Sequence, residues 1–255
     1  FPTGSVVLGD PEQNSKIEPL FGCQDIDLTL GGRRILEGIN LEVTRGQVLG
    51  IVGPNGAGKT SLLEVLSGRV RHQRGQITLQ GRAIGHLSIQ QRVRMGIGRT
   101  YQTPVVPSEL SVAQVLKAAR KAFYPKLTSH QAEWAAEVVG LKVPGHARAG
   151  SLETLQRRKL LMACLIMRRP KVLLLDEPAS GLLVAELDEL DQVLRLLARE
   201  MKIALLVVEH RLELIAAVAD QVLVLDVGQR ITTGTPEDVF RNPEVQAAYF
   251  ESGTA

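Results

Sequence analysis

One eight-residue segment constrains this chain more than any other feature of its sequence. It reads Gly53-Pro54-Asn55-Gly56-Ala57-Gly58-Lys59-Thr60 and matches the pattern G-x-x-x-x-G-K-[ST]. An apolar run of strand length, 48–52, precedes it and a helical pattern follows it, which is the context that this motif requires. Small residues let backbone N–H groups curl around phosphate oxygens, and the helix N-terminus adds partial positive charge. The segment therefore predicts a phosphate-binding turn between a buried strand and a helix.

The side chains at the end of this turn predict what it binds. Lys59 can reach the β- and γ-phosphates of a nucleotide, and the Thr60 hydroxyl can ligate Mg²⁺. Ser61 is expected to contact a further phosphate oxygen. The ligand predicted from these residues is ATP with Mg²⁺, and the plain alternative is a chance glycine-rich turn.

A second apolar run of strand length, 172–175, ends in Asp176-Glu177-Pro178. The carboxyl end of a strand in a parallel sheet lies beside such a phosphate-binding turn. We expect Asp176 to hold Mg²⁺ through water, and Glu177 to act as the general base on the attacking water. A strand that ends in two acids is often only a solvated strand end, but the upstream turn favours the functional interpretation.

Two further polar side chains follow predicted strands. His210 comes after the apolar run 204–208, and Gln102 comes after a short strand at Ile97. An imidazole at that sheet edge could contact the γ-phosphate, and the Gln102 amide could ligate Mg²⁺ or orient the water. Taken alone, each residue is more often structural than catalytic.

The periodicity of the chain predicts an α/β fold. Alternating apolar residues predict two antiparallel strands around Gly31-Gly32, with a late hairpin around Val227-Gly228. Helices are predicted at 59–66, 88–95, 112–123, 130–139, 155–167, 184–199, 212–219 and 236–250. The predicted fold is a P-loop NTPase core with a mostly parallel sheet, an N-terminal antiparallel β lobe and a helical subdomain at about 104–165.

Composition limits the partners and the location. The formal net charge is only +3 and the basic residues are scattered, so no nucleic-acid partner is predicted. No apolar run approaches the roughly 20 residues of a membrane span, and no signal peptide is evident, so any membrane role must come through a partner. Cys23 and Cys164 are predicted to be buried, reduced thiols. Residues 1–19 carry no periodicity and are interpreted as a linker preceding one domain at 20–255.

Taken together, these motifs resemble the ABC ATPase family over about residues 20–250. GPNGAGKT at 53–60 looks like its Walker A motif, LLLDEP at 173–178 like its Walker B, Gln102 like its Q-loop residue and His210 like its switch histidine. The resemblance implies a Mg²⁺-dependent ATPase in which two ATP-binding subunits close around nucleotide and push on membrane permease subunits. It also implies a peripheral location at the cytoplasmic face of the inner membrane.

Finer features resemble one subfamily, the ATPases of branched-chain amino acid importers, with urea and amide importers as close relatives. The matching stretches lie at 95–102, 234–239, 242–245 and 248–249. The runner-up among transporters is a lipid or lipopolysaccharide ATPase. Outside transport, the alternatives are a soluble ABC protein acting on DNA or ribosomes, which the absence of heptads and a basic stripe opposes, and a low-turnover regulatory nucleotide-binding module.

Three departures from the family pattern bear on function. Family members carry an LSGGQ signature that faces the partner's ATP, and at that place this chain reads Ser151-Leu152-Glu153-Thr154-Leu155. Counting back from 156–158 aligns Leu152 with the phosphate-binding Ser of the signature, and Glu153 and Thr154 with its two glycines. Ser151 could replace that Ser after a slip of one residue. Leu183 replaces the usual Asp after Walker B, and Leu30 replaces the aromatic that stacks on adenine.

A carboxylate facing a triphosphate repels it, so the signature half-site should be weak. The chain's own P-loop and Walker B motifs are intact, which favours a heterodimer with a second ATPase that carries an intact signature; a weakly active homodimer is the alternative. The permease contact is expected on the helical lobe near Gln102, with Val105, Val106 and Pro107 as candidates, although ordinary packing would explain these three nearly as well.

Overall fold

The computed structural model describes residues 18–103, 105–122 and 125–250. Within them the strands are β1 (Phe21–Leu30), β2 (Arg33–Val43), β3 (Val48–Val52), β4 (Arg74–Leu79), β5 (Arg82–Ala83), β6 (Ile97–Arg99), β7 (Val172–Asp176), β8 (Ala204–Val208), β9 (Gln221–Asp226) and β10 (Gln229–Gly234). The α-helices are α1 (Lys59–Ser67), α2 (Ile89–Met95), α3 (Val112–Lys121), α4 (Ser129–Val138), α5 (Thr154–Ile166), α6 (Val184–Arg199), α7 (Leu212–Val218), α8 (Pro236–Arg241) and α9 (Pro243–Phe250). A short 3-10 helix spans Ala149–Ser151.

The larger sheet places the functional strand ends side by side. Among the described residues its strand order is β10-β9-β3-β8-β7-β6, and β3, β9, β8, β7 and β6 run parallel. Every residue of β3, β7 and β8 is buried, because apolar side chains cover both faces of this sheet. The carboxyl ends of β3, β7 and β8 therefore share one edge, and their amino ends share the opposite edge.

A smaller antiparallel sheet, in the order β2-β1-β4-β5, packs over one face of the larger sheet. Its β1–β2 turn is made by Gly31 and Gly32, whose φ values of 55° and 78° favour glycine. A core that includes Phe21, Ile51 and Leu62 joins this sheet to α1 and the larger sheet. The predicted α/β class, with a parallel sheet and an antiparallel β lobe, is confirmed.

The region between β6 and β7 is helical, and its helices begin at conventional capping signals. Ser111 and Thr128 form capping boxes at the starts of α3 and α4. Val112, Val115, Ala149, Leu152 and Leu160 form a small core of their own here. The division of the chain at 20, and the extent of the helical subdomain at about 104–165, stay predictions; residues 1–17 of the proposed linker lie outside the described residues.

Two sequence expectations need correction. The tail is two helices, because Asn242 before Pro243 is extended (φ −68°, ψ 124°), as a residue preceding proline prefers to be. Cys23 is buried but Cys164 is only partly so, and both are free thiols. Burial raises the pKa of the Cys23 thiol to about 12 and that of Cys164 to about 11. Of the helices in the described residues, none has the length and apolar character needed to cross a bilayer.

Candidate nucleotide-binding site

The turn between β3 and α1 depends on glycine at its two ends. Gly53 has φ 153°, and a Cβ there would collide with the Leu225 carbonyl oxygen. Gly58 has φ 98° and is the N-cap of α1, so no side chain blocks the helix N-terminus. The Lys59 side chain is nearly buried, and its Nζ donates to the carbonyl oxygens of Gly53 at 2.7 Å and Pro54 at 2.8 Å. The turn thus holds its lysine over a cradle of backbone groups.

Burial and nearby carboxylates act on the pKa of Lys59 in opposite directions. Burial lowers the pKa of the ammonium, whereas the charges of Glu177 and Asp176 raise it, and burial is the larger effect. A cation held next to two acids in this way is suited to bind a polyanion that carries its own metal ion.

Asp176 ends β7 directly beneath the turn. Its side chain is 2% exposed; it accepts from the Thr60 hydroxyl at 3.3 Å and pairs with Arg99 at 3.2 Å. Burial raises the pKa of the Asp176 carboxyl; the charge and hydrogen bond of Arg99 and the hydrogen bond of Thr60 oppose this. The Thr60 hydroxyl and the Asp176 carboxylate are oxygen ligands of the kind that Mg²⁺ prefers.

The donor set fits a magnesium ion bound together with a nucleotide. Within the described residues no three His, Cys, Asp or Glu side chains cluster into a metal cage. Mg²⁺ in phosphoryl-transfer sites uses only one or two protein ligands and takes the others from phosphate and water. Thr60 and Asp176 would supply those two ligands here.

The three predicted catalytic side chains converge. Gln102 Nε2 donates to Glu177 Oε2 at 2.7 Å, and His210 Nε2 lies 3.0 Å from Glu177 Oε1. Glu177 has a positive φ of 46°, a strained conformation for a non-glycine residue that is concentrated at functional sites. The sequence placed these residues on three different segments, and the fold brings them to one carboxylate.

A cavity of about 350 Å³ opens at this edge of the sheet. It is lined by Arg33, Arg34, Ile35, Asn55, Gly56, Gly58, Lys59, Thr60, Ser61, Glu177, His210, Val227 and Gly228. The predicted residues Gly53, Pro54, Ala57, Gln102 and Asp176 are not part of this lining. Three of them form the turn, Asp176 lies below it, and Gln102 reaches the site through Glu177. Larger cavities occur elsewhere, so the assignment rests on the chemistry of the lining.

Leu30 does not line this cavity, although the sequence placed it at the adenine ring. It is 43% exposed at the end of β1, and among the described residues the cavity has no aromatic lining. The residues that do line the cavity include Arg33, Ile35 and Val227.

The sequence interpretation missed two charged residues that support the site. Arg99 lies in the stretch 95–102 and was given no role, because its pairing with Asp176 follows from β6 lying next to β7, which the sequence does not reveal. Glu209 is 2% exposed and accepts backbone N–H groups of Ala179 at 2.6 Å and His210 at 3.1 Å. It therefore fixes the loop after Glu177 and the position of His210. The sequence does show Glu209 directly after the apolar run 204–208, and this was the signal that could have identified it.

The structure also corrects the register of the signature segment. Leu152, aligned above with the phosphate-binding Ser, is buried in the small helical core, so its side chain cannot face a partner's nucleotide. Glu153 is exposed at the N-cap of α5 and makes no side-chain capping bond. Ser151 is exposed, and its Oγ donates to the Arg148 carbonyl oxygen. Of the residues in this segment, Glu153 is the one at the N-terminus of α5.

The fold and the site define a P-loop nucleotide-binding protein of the α/β class. The family model described as ABC transporter matches residues 36–180, and a model described as branched-chain amino acid ATP-binding cassette transporter matches residues 229–250. The chain is 32% identical over 248 residues to the high-affinity branched-chain amino acid transport ATP-binding protein BraF of Pseudomonas aeruginosa, covering 91% of this chain and 97% of that protein. It is 30% identical over 250 residues to LivG of Escherichia coli K12, which has the same description, covering 91% and 98%.

A crystal structure of an ATP-binding cassette of an ABC transporter in its ADP conformation superposes with a TM-score of 0.83 at 24% identity, covering 91% of this chain and 99% of that one. This similarity establishes the fold. The chain belongs to the ABC transporter ATP-binding family, and its resemblance to the branched-chain amino acid group is confirmed. Family membership carries ATP binding and, in general, ATP hydrolysis.

Proposed function

We propose that this chain is the Mg²⁺-dependent ATPase subunit of an importer of branched-chain amino acids or similar small polar solutes. It would lie at the cytoplasmic face of the inner membrane, bound to permease subunits. The observation that carries the proposal is the convergence of Gln102 and His210 on Glu177, next to Lys59 and Asp176. The printed descriptions of BraF and LivG support the choice of solute.

In this mechanism the backbone of the turn and Lys59 orient the β- and γ-phosphates of ATP. Glu177 accepts a proton from the water that attacks the γ-phosphorus. As that bond forms, the bond from the γ-phosphorus to the bridging oxygen breaks in line with it, and ADP and phosphate are the products. Mg²⁺, held by Thr60 and Asp176, would neutralise charge developing on the phosphate oxygens. Gln102 orients the Glu177 carboxylate. His210 Nε2, which lies against that carboxylate without nucleotide, would turn its N–H toward the γ-phosphate when ATP binds.

Two substitutions test this assignment. Lys59→Ala should abolish ATP binding by the purified chain, measured by calorimetry, because the cradle loses its cation. Glu177→Gln should keep ATP binding by the purified chain and, in the assembled transporter, lower single-turnover hydrolysis by about 10²–10⁴-fold, the range for a lost general base. Exposed Glu200→Gln is the matched control. Unchanged ATP binding by Lys59→Ala would refute the site.

Uptake separates the proposed solute from its alternatives. Cells lacking the gene should regain leucine or urea uptake when they carry the parent chain, and should not when they carry Lys59→Ala. Leucine and urea uptake that are both indifferent to the gene, together with altered export of lipid, would favour the lipid transporter.

We also infer that the chain pairs with a different ATPase. Glu153 places negative charge at the helix end that would face the partner's ATP. Leu183, which replaces the usual Asp after Walker B, is 72% exposed, and the next residue, Val184, is 80% exposed. Apolar side chains so exposed favour a complementary apolar partner surface. An intact signature on the partner would complete this chain's own P-loop.

The permease contact is proposed on the helical lobe. Of the three candidates, Val105 is 79% exposed and Pro107 is exposed, whereas Val106 packs against the small helical core. Val105 and Pro107 are therefore the better candidates for the contact, and Val106 for packing.

A further inference from the structure

A row of cations follows the edge of the larger sheet that lies opposite the nucleotide site. Arg45, Lys202, Lys171 and Arg94 precede the first residues of β3, β8, β7 and β6, which are neighbours in the sheet. At about 4.8 Å between strands, this edge is roughly 15 Å long. Because β7 has five residues, the row is also roughly 15 Å from the carboxyl edge that carries Asp176. It is therefore separate from the P-loop.

Two adjoining cavities line this edge. One, of about 360 Å³, is lined by Leu20, Arg45, Trp134, Arg169, Pro170, Lys171, Met201, Lys202 and Ile203. The other, of about 650 Å³, is lined by Leu79, Gln80, Arg82, Arg94, Met95, Gly96, Arg168, Arg169 and Lys171. They share Arg169 and Lys171, and among the described residues neither lining includes an Asp or a Glu. The combined surface is called the amino-edge groove below.

Within the described residues, Arg45, Arg94 and Lys202 of this groove have no carboxylate partner. Arg169 stacks over the Trp134 ring at 5.0 Å, and Lys171 Nζ donates to the neutral Gln80 amide at 2.6 Å. The positive charge of Arg94 contributes to lowering the pKa of Arg168, after burial, so the cations repel one another. An anion in the groove would relieve that repulsion.

Two residues of the groove have a strained backbone. Arg169 and Lys202 follow the ends of α5 and α6 with φ values of 52° and 56°, a conformation in which glycine is the usual residue. The negative ends of the two helix dipoles offset part of the charge repulsion. The Arg169 side chain is held in place by its stack on the Trp134 ring.

We propose that the amino-edge groove binds a phosphate-bearing anion with more than one phosphate group. Arginine guanidinium groups match phosphate oxygens in bidentate geometry, and lysine adds a point charge. The spread of cations over two joined cavities fits several phosphates better than one. The same chemistry is offered by a soluble oligophosphate and by the headgroups of anionic phospholipids, and the experiment separates these two sources.

The test uses the full chain carrying Lys59→Ala, so that the P-loop does not compete. Tripolyphosphate binding is measured by calorimetry, and binding to phosphatidylglycerol-containing vesicles by co-sedimentation against phosphatidylcholine alone. Adding Arg169→Gln with Lys171→Gln should weaken the binding by at least about tenfold, since each lost charge-assisted contact is worth that much. Added salt should weaken it as well.

A matched control removes the same charge elsewhere. Lys117→Gln with Lys142→Gln changes two exposed lysines that line neither cavity. A second pair, Arg82→Gln with Arg94→Gln, lies on the exposed side of the groove and keeps the Arg169–Trp134 contact, in case the first pair misfolds.

Binding of tripolyphosphate that the groove variants weaken and the control does not supports a soluble anion. Binding of anionic vesicles alone, with the same sensitivity, supports phospholipid headgroups. Binding of neither probe, or equal losses in groove and control variants, would overturn the proposal. Because the P-loop lysine is already replaced, none of these results depends on the proposed transport function.

Discussion

At the residue scale, the ion pair between Arg99 and Asp176 is the interaction on which the metal-binding acid depends. Both side chains are nearly buried, at 6% and 2% exposure, so neither charge is well solvated. Burial already raises the pKa of Asp176, and Arg99 is the first of the groups that oppose this. Removing Arg99 would leave a buried carboxylate without its cation.

We therefore predict that Arg99→Met lowers the free energy of unfolding by about 3–5 kcal/mol at neutral pH, as for other buried pairs broken on one side. The pKa of Asp176 in the folded state would rise further above its unfolded value. A raised folded pKa favours folding while the carboxyl is protonated, and this contribution is lost as pH rises through the folded pKa. The loss of unfolding free energy in the variant, relative to the parent chain, should thus be small at acidic pH and grow toward neutral pH.

Urea unfolding at acidic and neutral pH measures this effect. The control is Arg74→Met, which removes an exposed pair with Asp27 at 3.8 Å and should cost no more than about 1 kcal/mol at either pH. A deficit for Arg99→Met that is independent of pH would argue against the buried pair and for lost packing instead.

Side-chain chemistry made part of this site predictable. Lys59, Asp176 and Glu177 sit next to strands whose unbroken apolar runs identify them, and Gln102 and His210 were placed at the ends of other strands. Arg99 and Glu209 were not recognised, because their partners are Asp176 and the loop after Glu177, and these pairings depend on the strand order. Sequence reveals which residues end strands, but not which strand ends are neighbours.

At the scale of elements, the start of helix α5 bears on the proposed pairing with a second ATPase. Glu153 occupies the N-cap, and its carboxylate gains from the positive end of the helix dipole. The same position makes it the nearest group to an anion approaching that helix end. A helix N-terminus that would otherwise attract phosphate is thereby neutralised.

We predict that Glu153→Ser has two effects. Serine can cap the N2 or N3 backbone N–H, which Glu153 does not, and this gain of about 0.5–2 kcal/mol exceeds the roughly 0.3–1 kcal/mol of dipole interaction that is lost. The free energy of unfolding should therefore rise by up to about 1 kcal/mol. Removing the carboxylate should also raise the ATPase activity of the chain assayed alone, because two copies could then sandwich ATP.

The matched control for this change is Glu200→Ser, at the C-cap of α6. It removes the same charge far from a helix N-terminus, so the ATPase activity of the chain assayed alone should not rise. Higher stability of Glu153→Ser with unchanged activity would show that Glu153 acts only as a poor cap and does not limit nucleotide binding.

The bounds of helices and strands with one strong sequence pattern were predicted to within a residue or two. The alignment of the signature segment, in contrast, depended on tertiary structure. Helix 184–199 and strands 48–52 and 204–208 have the predicted bounds, because amphipathic periodicity or full burial defines their lengths. The signature segment was aligned by counting from 156–158. That count could not show that Leu152 points into the helical core, since a core around Val112 and Leu160 forms only when α3 meets α5.

At the scale of the whole molecule, the two halves of the nucleotide machinery in this chain are unequal. The half made by Lys59, Asp176 and Glu177 is complete, while the half that would serve a partner presents Glu153. In a mixed pair with an ATPase that carries an intact signature, two composite sites would form. One would join this chain's P-loop to the partner's signature, and the other would join the partner's P-loop to Glu153.

This asymmetry predicts unequal effects of the same substitution in the two subunits. Glu177→Gln in this chain should remove nearly all ATP turnover of the mixed pair, because it disables the one site with two sound halves. The equivalent glutamate substitution in the partner should have little effect, since its ATP faces a repelling carboxylate. When this chain carries Glu153→Ser, the glutamate substitution in the partner should also lower ATP turnover. Steady-state ATPase activity is measured for each of the two glutamate substitutions, with and without Glu153→Ser. Equal losses from the two glutamate substitutions while Glu153 is still present would mean that its carboxylate does not distinguish the sites.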